Sequence, residues 1–286
     1  MNNTGAFILA VCLFIIMFGM GLSLTLADFK RIIQRPKAIL IGLLNQVVLL
    51  PIIGYLILMF FDVRPEIAVG IMILAAAPGG PTSNLISHLA KGDTALSVSL
   101  TAFSSLITII SLPFIVQFAL VEFMGKDQSV QLNIPEIIAQ LMVITVIPVA
   151  LGMLINNKKE TFARKMDKPV KIASGVVLAL VIVGLIVKEK AKIGGYFADA
   201  GMVALLLNIA TMLVGFFTAK ILKLNRAESV SISIESGIQN GTLAIAVATG
   251  VLANTEFAIA PSIYSLLMFL TGFAVIFISS LNKSQG

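Results

Sequence analysis

Apolar residues run through almost the whole chain in long stretches that are separated by short polar segments. About twenty apolar residues cross the hydrocarbon core of a bilayer as a helix. By that measure the pattern predicts nine spans, at about residues 6–26, 38–61, 66–90, 94–120, 134–156, 170–187, 198–220, 227–252 and 257–281. We therefore expect an all-α polytopic membrane protein that forms a single transporter-sized unit over residues 1–286.

The composition excludes a soluble globular protein. Hydrophobic residues make up 58% of the chain and charged residues 12%, whereas soluble domains carry roughly 25% charged residues. The net charge of +6 does not indicate nucleic acid, because Lys and Arg lie in short clusters between the apolar runs. The bilayer is the expected partner, and no protein partner is implied. Cys12 is the single cysteine, so a disulfide within the chain is excluded.

The distribution of Lys and Arg predicts an orientation. With nine spans the termini lie on opposite sides, and loops rich in Lys and Arg face the cytoplasm. With the N-terminus outside, 15 of the 20 Lys and Arg residues lie in cytoplasmic loops. The N-terminal segment lacks a basic region ahead of its apolar run, so it is interpreted as a span rather than a cleaved signal peptide. We expect a multi-pass protein of the inner (plasma) membrane with the N-terminus outside and the C-terminus cytoplasmic.

Two of the nine spans are interrupted by polar and helix-breaking residues. Span three contains PGGPTSN from Pro78 to Asn84, and span eight contains ESGIQNG from Glu235 to Gly241. Backbone groups freed at mid-membrane must be covered by protein or by a water-filled cavity. Broken helices at corresponding places in two halves are typical of inverted-repeat secondary transporters. Spans 1–4 and 6–9 would form the repeats, since span five reverses the direction of the second.

Glu235 is the one carboxylate placed deep in a predicted span. An ionised side chain there costs at least ~3 kcal/mol on insertion scales, and no Lys or Arg lies deep in any span to pair with it. A bound cation is the better partner. Hydroxyl and amide oxygens after the first break and in the first half of span four suit Na⁺ rather than a transition metal. One Ser or Thr alone more often bonds to its own backbone or a neighbouring helix, so the argument depends on the group.

Several motifs together resemble the bile acid:sodium symporter family, in a bacterial form. They are PGGPTSN followed by AKGDTALSVSLT, ESGIQNGTLA, IIMFGMGLSL followed by ADF, and Gln46 in IGLLNQVVLLP. The resemblance covers nearly the whole chain. It implies a core domain in which the two unwound helices cross, at about residues 38–125 and 195–281. It also implies a separate panel domain, at about residues 1–30 and 134–190.

The resemblance also implies two sodium sites and a substrate site. Sodium site one would consist of Ser83, Asn84, Ser97, Thr101 and Glu235. Sodium site two would consist of Gln46, Glu235 and Gln239 with the main-chain oxygens of Ser236 and Ile238. The substrate would contact Pro81, Thr82, Asn240 and Gly241. Pro81 departs from the family pattern, since many bacterial relatives have Thr beside the substrate cavity.

Together these features predict a sodium-coupled symporter, not an enzyme, that imports an organic anion by alternating access. Half-helices that restart at about Thr82 and Asn240 would aim their N-terminal N–H groups at the cavity and favour an anion. Two Na⁺ and one Glu235 carboxylate leave a net charge of +1, which favours the same substrate class. A small carboxylate such as pantoate is the preferred substrate, and a bile-acid-like or sulfonated anion is the other possibility.

Other function classes fit the sequence less well. A proton-coupled antiporter of related fold would usually need acidic pairs at mid-membrane, and Glu235 is alone there. An arsenite exporter would be expected to have a cysteine at the broken helix, whereas Cys12 lies elsewhere. An intramembrane hydrolase would need a nucleophile beside a base, and no predicted span combines Ser with His or with paired Asp in a convincing way. A channel remains open, because sequence alone does not separate a pore from a carrier.

Overall fold

The computed structural model describes residues 3–125, 131–163 and 193–281, with positions 165–166, 169–170, 172–173, 176, 180 and 183–184 between them. In that part of the chain all regular structure is helical. The helices are α1 (Asn3–Ser23), α2 (Leu26–Gln34), α3 (Pro36–Phe60), α4 (Pro65–Ala75), α5 (Pro81–Leu89), α6 (Thr94–Met124), α7 (Ile134–Lys158), α8 (Ile193–Ile221), α9 (Arg226–Gly237), α10 (Gly241–Ala246, extended by a wider π turn over Val247–Val251) and α11 (Ile259–Leu281).

Five helices of the described residues are long and apolar enough to cross a membrane. They are Pro36–Phe60, Thr94–Met124, Ile134–Lys158, Gly194–Ile221 and Glu256–Leu281, which correspond to predicted spans two, four, five, seven and nine. A bent pair from α1 and α2, with an angle of 64° between its parts, raises the number to six. Predicted spans three and eight are each divided into two helices, and most of span six lies outside the described residues. The count of nine stays a prediction.

The first span ends earlier than expected, at Ser23 rather than residue 26. Thr25 is extended, with φ −126° and ψ 162°, and so interrupts the helix. The Asp28 carboxylate accepts the Thr25 N–H at 2.8 Å and the Thr25 hydroxyl at 2.7 Å, which starts α2 in a new direction. Arg31 donates to the Ala95 carbonyl at 2.9 Å, so α2 is held against the start of α6.

Two long helices widen into π turns just before a proline. In α3 the wide stretch Leu44–Leu49 precedes Pro51, and in α7 the stretch Met142–Val146 precedes Pro148. Proline lacks an N–H and its ring clashes with the carbonyl four residues earlier; a wider turn relieves both problems. In α3 the altered register buries the side chain of Gln46, which is 1% exposed.

The polar broken helices occupy the interior, and the apolar helices surround them. Every residue of α4 from Ile67 to Ala75 is buried, as is every residue of α9 from Glu228 to Gly237. Helices α3, α6, α8 and α11 pack around this pair. Protein therefore covers the freed backbone of both broken helices, as a bilayer requires.

Helix α1 packs chiefly against α7. The two backbones approach closely, because a Cβ at Gly21 would collide with the Val149 carbonyl and one at Gly152 would collide with the Phe18 carbonyl. Small residues permit such close approach between membrane helices. The pair α1–α7 is therefore tightly joined.

Candidate functional site

The two helix breaks lie directly against each other. The Asn240 N–H donates to the Ala77 carbonyl at 3.1 Å, which joins the second break to the first. A Cβ at Gly79 would stand 2.8 Å from the Ile238 carbonyl oxygen, so the close approach requires glycine. The second halves begin at Pro81 and Gly241. Both starts are within one residue of the expected positions, Thr82 and Asn240. The first helix begins at Pro81 because proline is favoured at a first helical position, and the second begins after Asn240, which acts as its cap.

Glu235 lies at this crossing and has no exposed surface. Its Oε1 accepts a hydrogen bond from the Ser97 hydroxyl at 2.5 Å, and its Oε2 accepts from the Thr101 hydroxyl at 3.0 Å. The Gln46 amide donates to the same Oε2 at 2.9 Å. Among the described residues, none of the ion pairs involves Glu235. A buried carboxylate that is ionised needs a charged partner as well as hydrogen bonds, and a bound cation would be such a partner.

The residues predicted for sodium site one are brought together around this carboxylate. Ser97 and Thr101 lie one turn apart on α6, and their hydroxyls also reach the Asn84 side-chain oxygen at 2.8 and 3.2 Å. Ser83 is fully buried and donates to the Gly80 carbonyl at 2.7 Å. A Cβ at Gly79 would lie 2.8 Å from the Ser83 hydroxyl and 3.2 Å from Glu235 Oε2, so the hydroxyl borders the same space.

The residues predicted for sodium site two supply oxygens without a partner. Gln46 donates its amide to the Glu235 carbonyl at 3.0 Å, and Gln239 donates to the Ser236 carbonyl at 2.7 Å. The side-chain oxygens of both glutamines are buried and accept no hydrogen bond. A buried acceptor without a partner costs about 1–3 kcal/mol. Both are therefore available to a ligand, and a cation is a partner that such oxygens accept.

The donor set is of the kind that hard cations prefer. Within the described residues, no three of His, Cys, Asp and Glu cluster in a way that could hold a metal ion. The crossing offers one carboxylate with hydroxyl, amide and main-chain oxygens. Such oxygens suit Na⁺, while transition metals prefer imidazole and thiolate ligands.

The half-helices create opposite electrostatic environments at the crossing. Helices α4 and α9 end there with their partly negative C-termini, beside Glu235. Helices α5 and α10 begin there, and their partly positive N-termini favour an anion. Asn240 Oδ1 accepts the Leu243 N–H at 3.0 Å, which leaves the Asn240 Nδ2 to donate to a ligand.

A cavity of about 150 Å³ opens at these two N-termini. Its lining includes all four residues predicted to contact the substrate, namely Pro81, Thr82, Asn240 and Gly241. Ile16 of α1 and Phe269 of α11 close the cavity from the other sides. The structure thus places the predicted substrate residues between α1 and the crossing.

Two polar residues that the sequence pattern did not single out hold the end of α9. The Asn208 amide and the Tyr264 hydroxyl both donate to the Gly237 carbonyl, each at 2.7 Å. They fix the turn that leads from Glu235 into the second break. The signal was an asparagine in the apolar run VALLLNIATML, since a lone amide deep in a membrane helix needs a partner.

Comparison with known proteins gives a consistent result. The model of the sodium bile acid symporter family matches residues 10–195. The uncharacterized sodium-dependent transporter YocS of Bacillus subtilis is 29% identical over 272 residues, which cover 92% of this chain and 80% of that protein. The human ileal sodium/bile acid cotransporter is 29% identical over 95% of this chain and 77% of its own length. The probable sodium/metabolite cotransporter BASS1 of Arabidopsis chloroplasts is 27% identical over 92% of this chain and 64% of its length.

Proposed function

We propose, since this chain belongs to the sodium bile acid symporter family, that it imports a small organic anion together with two Na⁺ by alternating access. Members of the family are sodium-dependent transporters, and none of the similar proteins above is named as an enzyme. Glu235 carries the proposal: it is a fully buried carboxylate with three hydrogen-bond donors and no ion pair among the described residues. Sodium is the missing partner.

Two sodium ions fit the oxygens better than one. Ser83, Asn84, Ser97 and Thr101 are joined to one another or to the Glu235 carboxylate by contacts on this side of the helix break, and they provide hydroxyl and amide oxygens. Gln46 and Gln239 provide two further oxygens that are buried without partners. In our proposal Glu235 is shared by both ions, so their binding draws α3, α6 and the two breaks together.

The substrate site follows from the charge and size of the cavity. Two Na⁺ and one carboxylate leave a net charge of +1, and the N-termini of α5 and α10 add to the attraction for an anion. Pockets for drug-sized ligands measure about 300–1,000 Å³, whereas this one measures about 150 Å³. A small carboxylate such as pantoate is therefore preferred to a bile-acid-like or sulfonated anion.

Pro81 shapes the substrate cavity. A proline has neither a hydroxyl nor an N–H, so at this position it gives the cavity an apolar wall. Thr82, Asn240 and the free N–H groups of the half-helices would then hold the carboxylate. The apolar part of the substrate would lie against Pro81 and Ile16.

The close packing of α1 against α7 supports a panel domain, at about residues 1–30 and 134–190, that is distinct from a core at about residues 38–125 and 195–281. The cavity has walls from both parts, because Ile16 belongs to α1 and the polar lining residues belong to the breaks and the half-helices that follow them. Movement of the core against the panel would switch access between the two sides. In our proposal spans 1–4 and 6–9 are inverted repeats, which is the arrangement that such a movement would use.

The bias of Lys and Arg supports an outside N-terminus in the plasma membrane. Import of two Na⁺ with one monoanion then carries one net positive charge inward per cycle. A membrane potential of 100 mV adds ~2.3 kcal/mol to each turnover. Uptake should therefore be electrogenic.

The test is a thermal-shift screen of organic acids, with NaCl or with choline chloride at equal ionic strength. We expect a small carboxylate to stabilise the protein only when Na⁺ is also present. The active acid is then tested for uptake into proteoliposomes with an inward sodium gradient. Uptake that is saturable and sodium-stimulated supports a carrier, whereas uptake indifferent to sodium would refute the coupling. Non-saturable flux would indicate a channel.

A further inference from the structure

A groove of about 670 Å³ lies on the surface of the helix bundle between α8, α9 and α11. It shares no lining residue with the proposed sodium and substrate sites. Its walls are Leu213 and Phe217 of α8 with Val275 and Ile278 of α11, and its floor includes Val230 and Ser233 of α9. Leu213, Phe217 and Ile278 are each at least half exposed. In a protein that spans a bilayer, such exposed apolar walls meet lipid chains.

The two serine hydroxyls of α9 that line the groove are already satisfied, and the first of them, on Ser229, donates to the Asn225 carbonyl at 2.9 Å. The Ser233 hydroxyl donates to the Met212 carbonyl at 2.8 Å. An occupant of the apolar part therefore needs no polar group to match it. A hydrocarbon chain suits these walls.

One end of the groove carries two cations. Lys220 in the last turn of α8 and Arg226 at the start of α9 both line it and are both exposed. In the part of the chain that the structure describes, neither takes part in an ion pair. Glu228 does not neutralise them, because its carboxylate accepts the Asn225 N–H at 3.0 Å and pairs with Arg35 at 3.5 Å.

We propose that this groove binds one anionic phospholipid. The phosphate lies between Lys220 and Arg226, and an acyl chain follows the apolar walls towards Leu213. Basic pockets between membrane helices bind anionic head groups in this way. A zwitterionic lipid fits the same walls but gains less from the cations, since its own ammonium group cancels its charge.

The site has a structural consequence. Its floor is α9, and Ser233 is two residues from Glu235. A lipid seated there would brace α9 between α8 and α11 and so hold the helix that carries the buried carboxylate. The inference rests on the groove and its charges, and it stands whichever substrate the protein transports.

The chain contains no tryptophan, so one introduced tryptophan reports on its own surroundings. Phe217→Trp places the reporter in the groove, and Phe114→Trp places it on α6 at a similar exposure, 54% against 50%. Each variant is reconstituted in vesicles that contain brominated phosphatidylglycerol or brominated phosphatidylcholine. A Lys or Arg near the surface changes the affinity for an anionic lipid about five-fold. We expect at least a five-fold preference for phosphatidylglycerol at position 217 and no comparable preference at position 114.

Charge variants separate a specific site from general attraction. In the Phe217→Trp background, Lys220→Gln with Arg226→Gln should reduce the preference to the value at position 114. Lys158→Gln with Lys159→Gln removes the same charge from the end of α7 and should leave the preference unchanged. Equal quenching by both lipids at position 217, or a preference that survives loss of Lys220 and Arg226, would overturn the proposal.

A second measurement needs no introduced tryptophan. In detergent, added phosphatidylglycerol should raise the melting temperature of the unaltered protein more than phosphatidylcholine does. The difference should disappear in the Lys220→Gln, Arg226→Gln variant. An equal rise with both lipids in the unaltered protein would count against the site.

Discussion

Glu235→Gln tests the central electrostatic claim, because it removes the charge and keeps the size and shape of the side chain. The Ser97 and Thr101 hydroxyls can each donate or accept, so they can still bond to the new amide. The fold is therefore expected to survive. What changes is the attraction between the carboxylate and Na⁺.

The magnitude follows from Coulomb's law. Two unit charges about 4 Å apart attract by about 4 kcal/mol at an effective dielectric constant of about 20, which equals roughly a thousand-fold in affinity. At a sodium concentration 100 times the dissociation constant, binding stabilises the unaltered protein by about 2.7 kcal/mol. The same concentration would stabilise the variant by only about 0.1 kcal/mol or less.

The assay is thermal denaturation in NaCl and in choline chloride at equal ionic strength. Sodium should raise the melting temperature of the unaltered protein clearly and that of Glu235→Gln hardly at all. Without sodium the melting temperature of the unaltered protein should be equal to or lower than that of Glu235→Gln, since the unaltered protein then buries a charge with no ionic partner. Glu136→Gln, an exposed carboxylate on α7, should keep the full response. An undiminished sodium shift in Glu235→Gln would refute the assignment of this carboxylate.

Three further variants test the surrounding geometry. Gln239→Leu removes one unpartnered buried oxygen, so the Hill coefficient of uptake for Na⁺ should fall from near two towards one; an unchanged coefficient contradicts a second site there. Gly79→Ala forces a methyl against the Ile238 carbonyl and should cost about 1–3 kcal/mol in thermal denaturation, whereas Gly194→Ala, which meets open space, should cost nothing. Ser97→Ala removes a hydroxyl oxygen of the proposed sodium site one, and an interaction of that oxygen with an ion is comparable to a hydrogen bond to a charged group, about 1.5–3 kcal/mol. Sodium affinity in thermal titration should fall ten-fold or more, and Ser104→Ala should not reproduce that loss.

Local chemistry pointed to the helix breaks and to Glu235, whereas the full sodium ligand sets came from the family resemblance. Pro78 to Pro81 and the sequence ESGIQNG break a helix wherever they stand, since proline lacks an N–H and glycine weakens a helix. Ser97 and Thr101 share a helical face by their spacing alone. Glu235 stood out because a deep carboxylate is costly in a bilayer. These properties belong to the residues and their neighbours, so one sequence was sufficient to find them.

Tertiary structure decided which groups meet. Gly79 must be glycine because Ile238, far away in the sequence, places its carbonyl beside it. Asn208 and Tyr264 both converge on the Gly237 carbonyl, and the wide turn before Pro51 buries Gln46 beside Glu235. The groove that ends at Lys220 exists only because α8, α9 and α11 pack with a gap between their side chains. Such contacts join residues far apart in the chain, so they depend on how whole helices pack and leave no periodic signal along the sequence.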